Sequence, residues 1–143
     1  MSEARGGKRG SESGAVAVEF AIMLPVLVLI LFGVIQFGKV YSQWQVFQGA
    51  AREGARCAAV QAAEAAVGLP VCNVTTAVTE AAGAYTPSLT DFQVVVSGGG
   101  NACTASSIGR DVTVSWEQPF EINIPLWDSV EFTSTMEGTF RCE

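Results

Sequence analysis

The chain has 143 residues, 49% of them hydrophobic, with a formal net charge of -6 and no histidine. One domain's worth of sequence is present, and an acidic balance argues against a nucleic-acid partner, whose phosphates need clustered Lys and Arg. Without histidine the commonest general base and metal ligand are gone, and no nucleophile motif, phosphate-cradling glycine loop, paired CxxC or HExxH replaces them. The residues therefore point away from an enzyme, with no cofactor and no metal expected.

Residues 1–14, "MSEARGGKRGSESG", carry Arg5, Lys8 and Arg9 among Gly and Ser and hold nothing that could build a core. They read as a short, basic, disordered leader. From Ala15 to Ile35 the chain is apolar apart from Glu19. That run of about 21 residues is long enough to cross roughly 30 Å of hydrocarbon as a helix, and too long for a signal-peptide core. The basic residues before it place the N-terminus in the cytoplasm, so everything after Gly38 is expected outside. The transmembrane half is then 15–38, with Pro25 inside it as an expected kink. Glu19 is the anomaly, because a carboxylate within the bilayer costs about 2.5–3.5 kcal/mol on insertion scales. Taken alone, it reads as an interfacial residue snorkelling toward water.

From Val40 to about Val67 the segment has no proline, and small residues recur at steps of three and four: Ala51, Ala55, Ala58, Ala62 and Ala65 or Ala66. This predicts one long helix from about Ala15 to Val67, stopped by Gly68, Leu69 and Pro70. A second, shorter helix is expected over Asn73–Thr86, with Asn73 as its N-cap rather than as the glycosylation acceptor that "NVT" also spells. Three segments then alternate with period two, "DFQVVVSG" (91–98), "GRDVTVSWEQ" (109–118) and "SVEFTSTMEGTFRCE" (129–143), with "PFEINIPLWD" as the connection before the last. The order is α-α-β-β-β. The fold class is α+β: a long N-terminal helix, a second short helix and a small three-stranded antiparallel sheet, with residues 39–143 as an extracytoplasmic domain.

Several residues carry two readings. Tyr41, Trp44 and Phe47 fit an interfacial aromatic belt or core packing. In "AAREGAR", Arg52, Glu53 and Arg56 could contact neighbouring subunits or form a solvated ion-paired face. Gly49 and Gly54, with the alanine stripe, would let the helix sit close against the sheet. Trp116, Phe120 and Trp127 could form an adhesive surface or close a small core. Cys57, Cys72, Cys103 and Cys142 are too widely spaced for a familiar zinc site, and an even count after a membrane segment suggests disulfides in an oxidising compartment, against an alternative of free thiols. If the last two strands are antiparallel neighbours, Cys142 returns to the loop that holds Cys103, leaving Cys57 for Cys72. The second bridge faces a distance problem, since Cys57 sits about 15 Å before the helix stop and bridged Cα atoms must lie within about 7 Å. Either the helix ends early, or residues 68–72 fold back along it.

The stretch "GAVAVEF" resembles the processing site of type IV pilin-like proteins. With "AVEFAIMLPVLVLILFGVIQFG" and "QGAAREGARCAAV" after it, the chain from Gly14 to about Val60 resembles the TadE-like family of pseudopilins from tight-adherence (Tad/Flp, type IVc) pilus systems. The resemblance implies a pilin-like fold. It also implies cleavage by a prepilin peptidase between Gly14 and Ala15, which would make Glu19 the fifth residue of the mature chain. Glu19 and Phe20 are implicated in subunit assembly, where the carboxylate would neutralise the new amine of a neighbour and so lower the cost of burying both charges. Expected partners are the peptidase, other Tad pilins and pseudopilins, and membrane lipid. The expected place is the bacterial cytoplasmic (inner) membrane, single-pass, with the domain outside. The competing expectation is an uncleaved bitopic protein with an external binding domain. A membrane-tethered enzyme is the least supported class, because no catalytic constellation can be named.

Overall fold

The computed structural model describes residues 10–124 and 128–143, so the leader residues 1–9 and Trp127 lie outside the described residues. The first element, α1, is one helix over Gly10–Ala66, 57 residues or about 85 Å at 1.5 Å per residue, and it runs through Pro25 without a break. Its end is set by backbone geometry. Gly68 adopts φ +72°, its N–H donates to the Ala65 carbonyl, and the Leu69 N–H reaches back to the Glu64 carbonyl. This is a Schellman closure, in which glycine takes the left-handed position at no steric cost and Pro70 prevents resumption of the helix.

The chain then doubles back along α1. The Gln61 side-chain amide donates to the Cys72 carbonyl at 2.9 Å, and the Cys72 N–H donates to the Glu64 carboxylate at 2.6 Å. That fold-back closes the distance between Cys57 and Cys72. A second helix, α2, covers Val74–Ala82, capped by Asn73, whose side chain accepts the Thr76 N–H at 3.1 Å. It stops short of the expected Thr86 because Gly83, at φ +61°, ends it. Its buried residues Val78 and Ala82 pack toward α1, and Gly54 makes that possible: a Cβ there would meet Val78 Cγ2 at 2.5 Å. Gly49, by contrast, is exposed, and a Cβ at that position would have nothing within 4 Å, so the expectation that it brings the helix close to the sheet is not met.

The strands β1 (Thr90–Val96), β2 (Asp111–Ile122) and β3 (Val130–Arg141) form an antiparallel sheet in the order β1-β2-β3. A bulge between Thr90 and Gln93, with Asp91 at φ +52°, offsets the start of β1. The second strand runs four residues past the predicted end, so Pro119–Ile122 belong to a strand and not to the connection. Proline is tolerated there because of which edge it faces. The Glu117 carbonyl accepts from the Ser88 hydroxyl on the β1 side, and Pro119, two residues on, faces that same side where β1 has already ended. Its missing N–H costs no ladder bond.

Every second residue of β2 (Val112, Val114, Trp116, Gln118, Phe120) is buried against the helices, with Met136 and Gly138 of β3 beside them. The helix contributes Phe47, Ala50, Ala51, Ala55, Ala58 and Ala59. Gly138, cross-strand from Val114, marks the closest approach: a Cβ there would fall 2.3 Å from the Ala51 carbonyl carbon and oxygen and 2.5 Å from the Arg52 nitrogen. Alanine on one side and glycine on the other let backbone meet backbone, and the core is built on that contact.

Candidate functional site

The N-terminal half of α1 is the part of the chain that its own fold leaves uncovered. Val16, Phe20, Ile22, Met23, Leu27 and Ile30 are each 61–69% exposed, although a water-soluble helix would bury such residues. This helix is long and apolar enough to cross a membrane, with none of its most apolar window buried. Long apolar composition and full exposure together fit a single-pass membrane protein.

The residues singled out for processing and assembly lie on this bare segment. Gly14 and Ala15 are both exposed within α1, and a Cβ at Gly14 would meet nothing within 4 Å beyond the helix itself. Glu19 lies one turn beyond Ala15, at the i,i+4 spacing that puts two side chains on one helix face. It is exposed, and among the described residues it has no ion-pair partner. Phe20 is 67% exposed.

Further along, the aromatic residues divide. Phe37, Tyr41 and Trp44 form an exposed column on one face of the helix, with successive ring centroids 6.2 and 6.3 Å apart. Phe47 leaves that column for the core, edge-on to Tyr85 at 6.2 Å and to Phe120 at 6.1 Å. Core packing is therefore the outcome for Phe47, while Tyr41 and Trp44 stay exposed on the helix. The adhesive reading of Trp116 and Phe120 does not hold, since both are buried. The Trp116 indole N–H donates to the Gln118 side-chain oxygen at 3.3 Å, and that oxygen also accepts the Ser88 N–H at 2.9 Å. Arg52, Glu53 and Arg56 face solvent, with Arg56 and Glu53 paired at 3.5 Å. An exposed pair of this kind contributes only about 0.3–0.5 kcal/mol to the fold of the single chain.

The four cysteines form two disulfides, Cys57–Cys72 and Cys103–Cys142, with Cα atoms 5.6 and 5.7 Å apart. The first fastens the fold-back to α1. The second joins the β1–β2 loop to the end of the chain, where the Cys142 N–H also donates to the Arg110 carbonyl and the Glu143 N–H to the Ala59 carbonyl. Among the described residues no group of three or more His, Cys, Asp or Glu side chains is placed to hold a metal ion. The sheet tip, Ile122–Ile124, lies beside Leu29, Phe32 and Phe37 of α1, a juxtaposition that the residue pattern did not suggest.

A bare apolar helix continuous with a disulfide-tied α+β head defines the general class: a helix-anchored membrane protein whose head packs on the helix's second half. The TadE-like protein family model matches residues 14–56, from the glycine of "GAVAVEF" to the last arginine of "AAREGAR", and this is the family that those motifs pointed to. No curated protein and no solved structure matches the chain.

Proposed function

We propose that the chain is a minor pseudopilin of a Tad/Flp (type IVc) pilus system. It would be made as a membrane precursor and cut between Gly14 and Ala15 by a prepilin peptidase. The observation that carries this reading is the coincidence of the family match with the bare half of α1, which is where pilin-like subunits would pack on one another. The N-terminus lies in the cytoplasm and the head outside the cytoplasmic (inner) membrane, and two disulfides suit an oxidising exterior. Its role is structural, in keeping with a family of pilus proteins.

The physics of assembly follows from Ala15 and Glu19. Cleavage would leave an α-ammonium at Ala15, at the edge of the hydrocarbon layer, and among the described residues no Lys or Arg side chain pairs with Glu19. In a bundle of such helices each Glu19 meets the amine of a neighbour, and two charges that are costly alone become a pair. The first and last partners in this scheme are the peptidase and other Tad pilins, with lipid around the span before assembly.

Two substitutions test it in the native host. Gly14→Leu places a branched side chain where the peptidase must approach backbone, and uncut precursor should accumulate. Glu19→Ala should insert into the membrane at least as well as the native chain, because a charge leaves the span, yet fail to co-assemble with other pilins. Normal processing of the first together with normal co-assembly of the second would leave an uncleaved bitopic protein as the better description.

A further inference from the structure

The sheet has two edges, and only one of them is closed. At β1 the strand is seven residues long, and a bulge with Asp91 at φ +52° distorts its start. At its other end the outward N–H and C=O of Val96 are taken by Gly100 and Gly99 of the following turn. The opposite edge is β3. It runs for 12 residues with no proline, no lysine and no bulge, the devices by which a free edge is ordinarily guarded. Its open side follows from the last bonds of the ladder. The Cys142 N–H donates to the Arg110 carbonyl and the Cys142 carbonyl accepts the Gly109 N–H, so the backbone of Cys142 faces β2. By alternation the odd-numbered residues from Glu131 to Arg141 turn their N–H and C=O groups away from the sheet, and all of them are exposed.

An aromatic wall overhangs this edge. In α1, Gly54 faces Val114 of β2, and Ala51, about 60° round the helix from it, faces Gly138 of β3. Trp44, Phe37 and Tyr41 lie roughly 20°, 40° and 80° further round in the same sense, which puts their column on the side of α1 above the open edge. Trp44 comes three residues before Phe47, whose ring meets Phe120, and Phe120 stacks on Phe132 at 5.4 Å, so Trp44 and Phe132 stand near one level. Phe132 and Phe140 point to the helix side of β3 and are still 42% and 41% exposed, whereas Met136 between them is fully buried. The far face of the sheet has the opposite character. There β2 and β3 present Asp111, Glu117, Glu121, Glu131 and Glu137 against Arg141 alone.

We infer that the open edge of β3 is a docking site for an extended segment of a partner protein, which adds as a fourth strand with apolar side chains toward Trp44, Phe132 and Phe140 and basic side chains beside Glu131 and Glu137. Backbone pairing supplies affinity that any extended chain could share, and the two faces supply the choice of sequence. A side chain on the helix side meets aromatic rings, and one on the far side meets carboxylates that favour Lys or Arg. A second copy of β3 does not meet these terms. The strand runs alongside α1 in the same direction, with Phe132 near the level of Phe47, Gly138 at Ala51 and the Glu143 N–H on the Ala59 carbonyl. Antiparallel pairing of two such strands would point their α1 helices in opposite directions, which two chains crossing one membrane in the same sense do not allow. The site itself requires neither cleavage nor pilus assembly.

The test uses the full chain, isotopically labelled, in nanodiscs of phosphatidylcholine, whose zwitterionic headgroups hold a basic peptide weakly. The probe is a synthetic eight-residue peptide that alternates lysine with valine and phenylalanine. On titration, amide shifts should concentrate at Thr133, Thr135 and Glu137, with hydrogen exchange slowed there, while Val94 of β1 stays unchanged. Thr135→Pro removes one outward N–H and should weaken binding about tenfold, with the Val112 and Val114 shifts in place. Glu131→Lys combined with Glu137→Lys, both at exposed positions, should also weaken it about tenfold and leaves the core untouched. N-methylation of the lysines, or instead of the apolar residues, should abolish binding in one case and spare it in the other, because a strand pairs through one set of N–H groups only. No shift at β3 up to millimolar peptide, equal binding by both N-methylated peptides, or undiminished binding to the variants would overturn the inference. So would β3 amides already protected without peptide in discs carrying two chains, which would make the edge a contact between copies.

Discussion

Gly138→Ala is the smallest change that should separate the helix from the sheet. The new Cβ would lie 2.3 Å from the Ala51 carbonyl group and 2.5 Å from the Arg52 nitrogen, whereas ordinary contact begins at 3.4 Å. The obstacle is helix backbone, which has no rotamer to change, so α1 must retreat from β3 by about 1 Å. A gap of that size forfeits roughly a quarter to a half of the dispersion energy of each facing atom pair, here along Ala51, Ala55, Val114 and Met136. Overpacking costs about 1–3 kcal/mol in general, and an unyielding backbone puts this case near about 3 kcal/mol. That corresponds to a roughly 150-fold rise in the opening equilibrium. Amide hydrogen exchange at Val112 and Val114 of the central strand, measured on the full chain in nanodiscs, reads it directly. Exchange within about threefold of the native rate would show that the helix does not rest on Gly138, and would refute the packing described above.

Other positions give contrasting outcomes. Gly49→Ala, on an exposed helical site with open space around it, should stabilise the fold by about 0.5–1 kcal/mol, seen as a higher denaturant midpoint. Gly54→Ala should destabilise it by about 1–2 kcal/mol and lower that midpoint, because Val78 is fully buried and β-branched and has little room to turn away. Replacing Cys57 and Cys72 together by Ser should cost about 3 kcal/mol, and replacing Cys103 and Cys142 about 4 kcal/mol. The difference arises because the second bridge spans 39 residues against 15 and so restricts the unfolded chain more.

The order of elements was legible because each carries its own period and punctuation: a continuous apolar and then alanine-rich helix, Gly68 with Pro70 to stop it, Asn73 to start the next, and strict alternation in "DVTVSW". What escaped depended on neighbours. The residues Pro119–Ile122 read as a connection because proline argues against a strand, and only the early end of β1 leaves proline a free edge to face. Gly49 and Gly54 look equivalent among the small residues of the helix, yet they lie on different sides of α1 and only Gly54 meets a partner. Gly138 reads as one more glycine in a strand until the register sets it against Ala51. The distance problem at Cys57 had two solutions on paper, and the hydrogen bonds of Gln61 and Glu64 to Cys72 are what select the fold-back. At the N-terminal segment the residue types of Gly14, Ala15, Glu19 and Phe20 carried the reading, and the fold adds that all four stand uncovered.

Intact-mass and N-terminal analysis of the protein taken from its native membrane tests the account most directly. A mature chain that begins at Ala15, lacking residues 1–14, is the result it predicts. A chain that keeps those residues and begins at Met1 or Ser2 would contradict it.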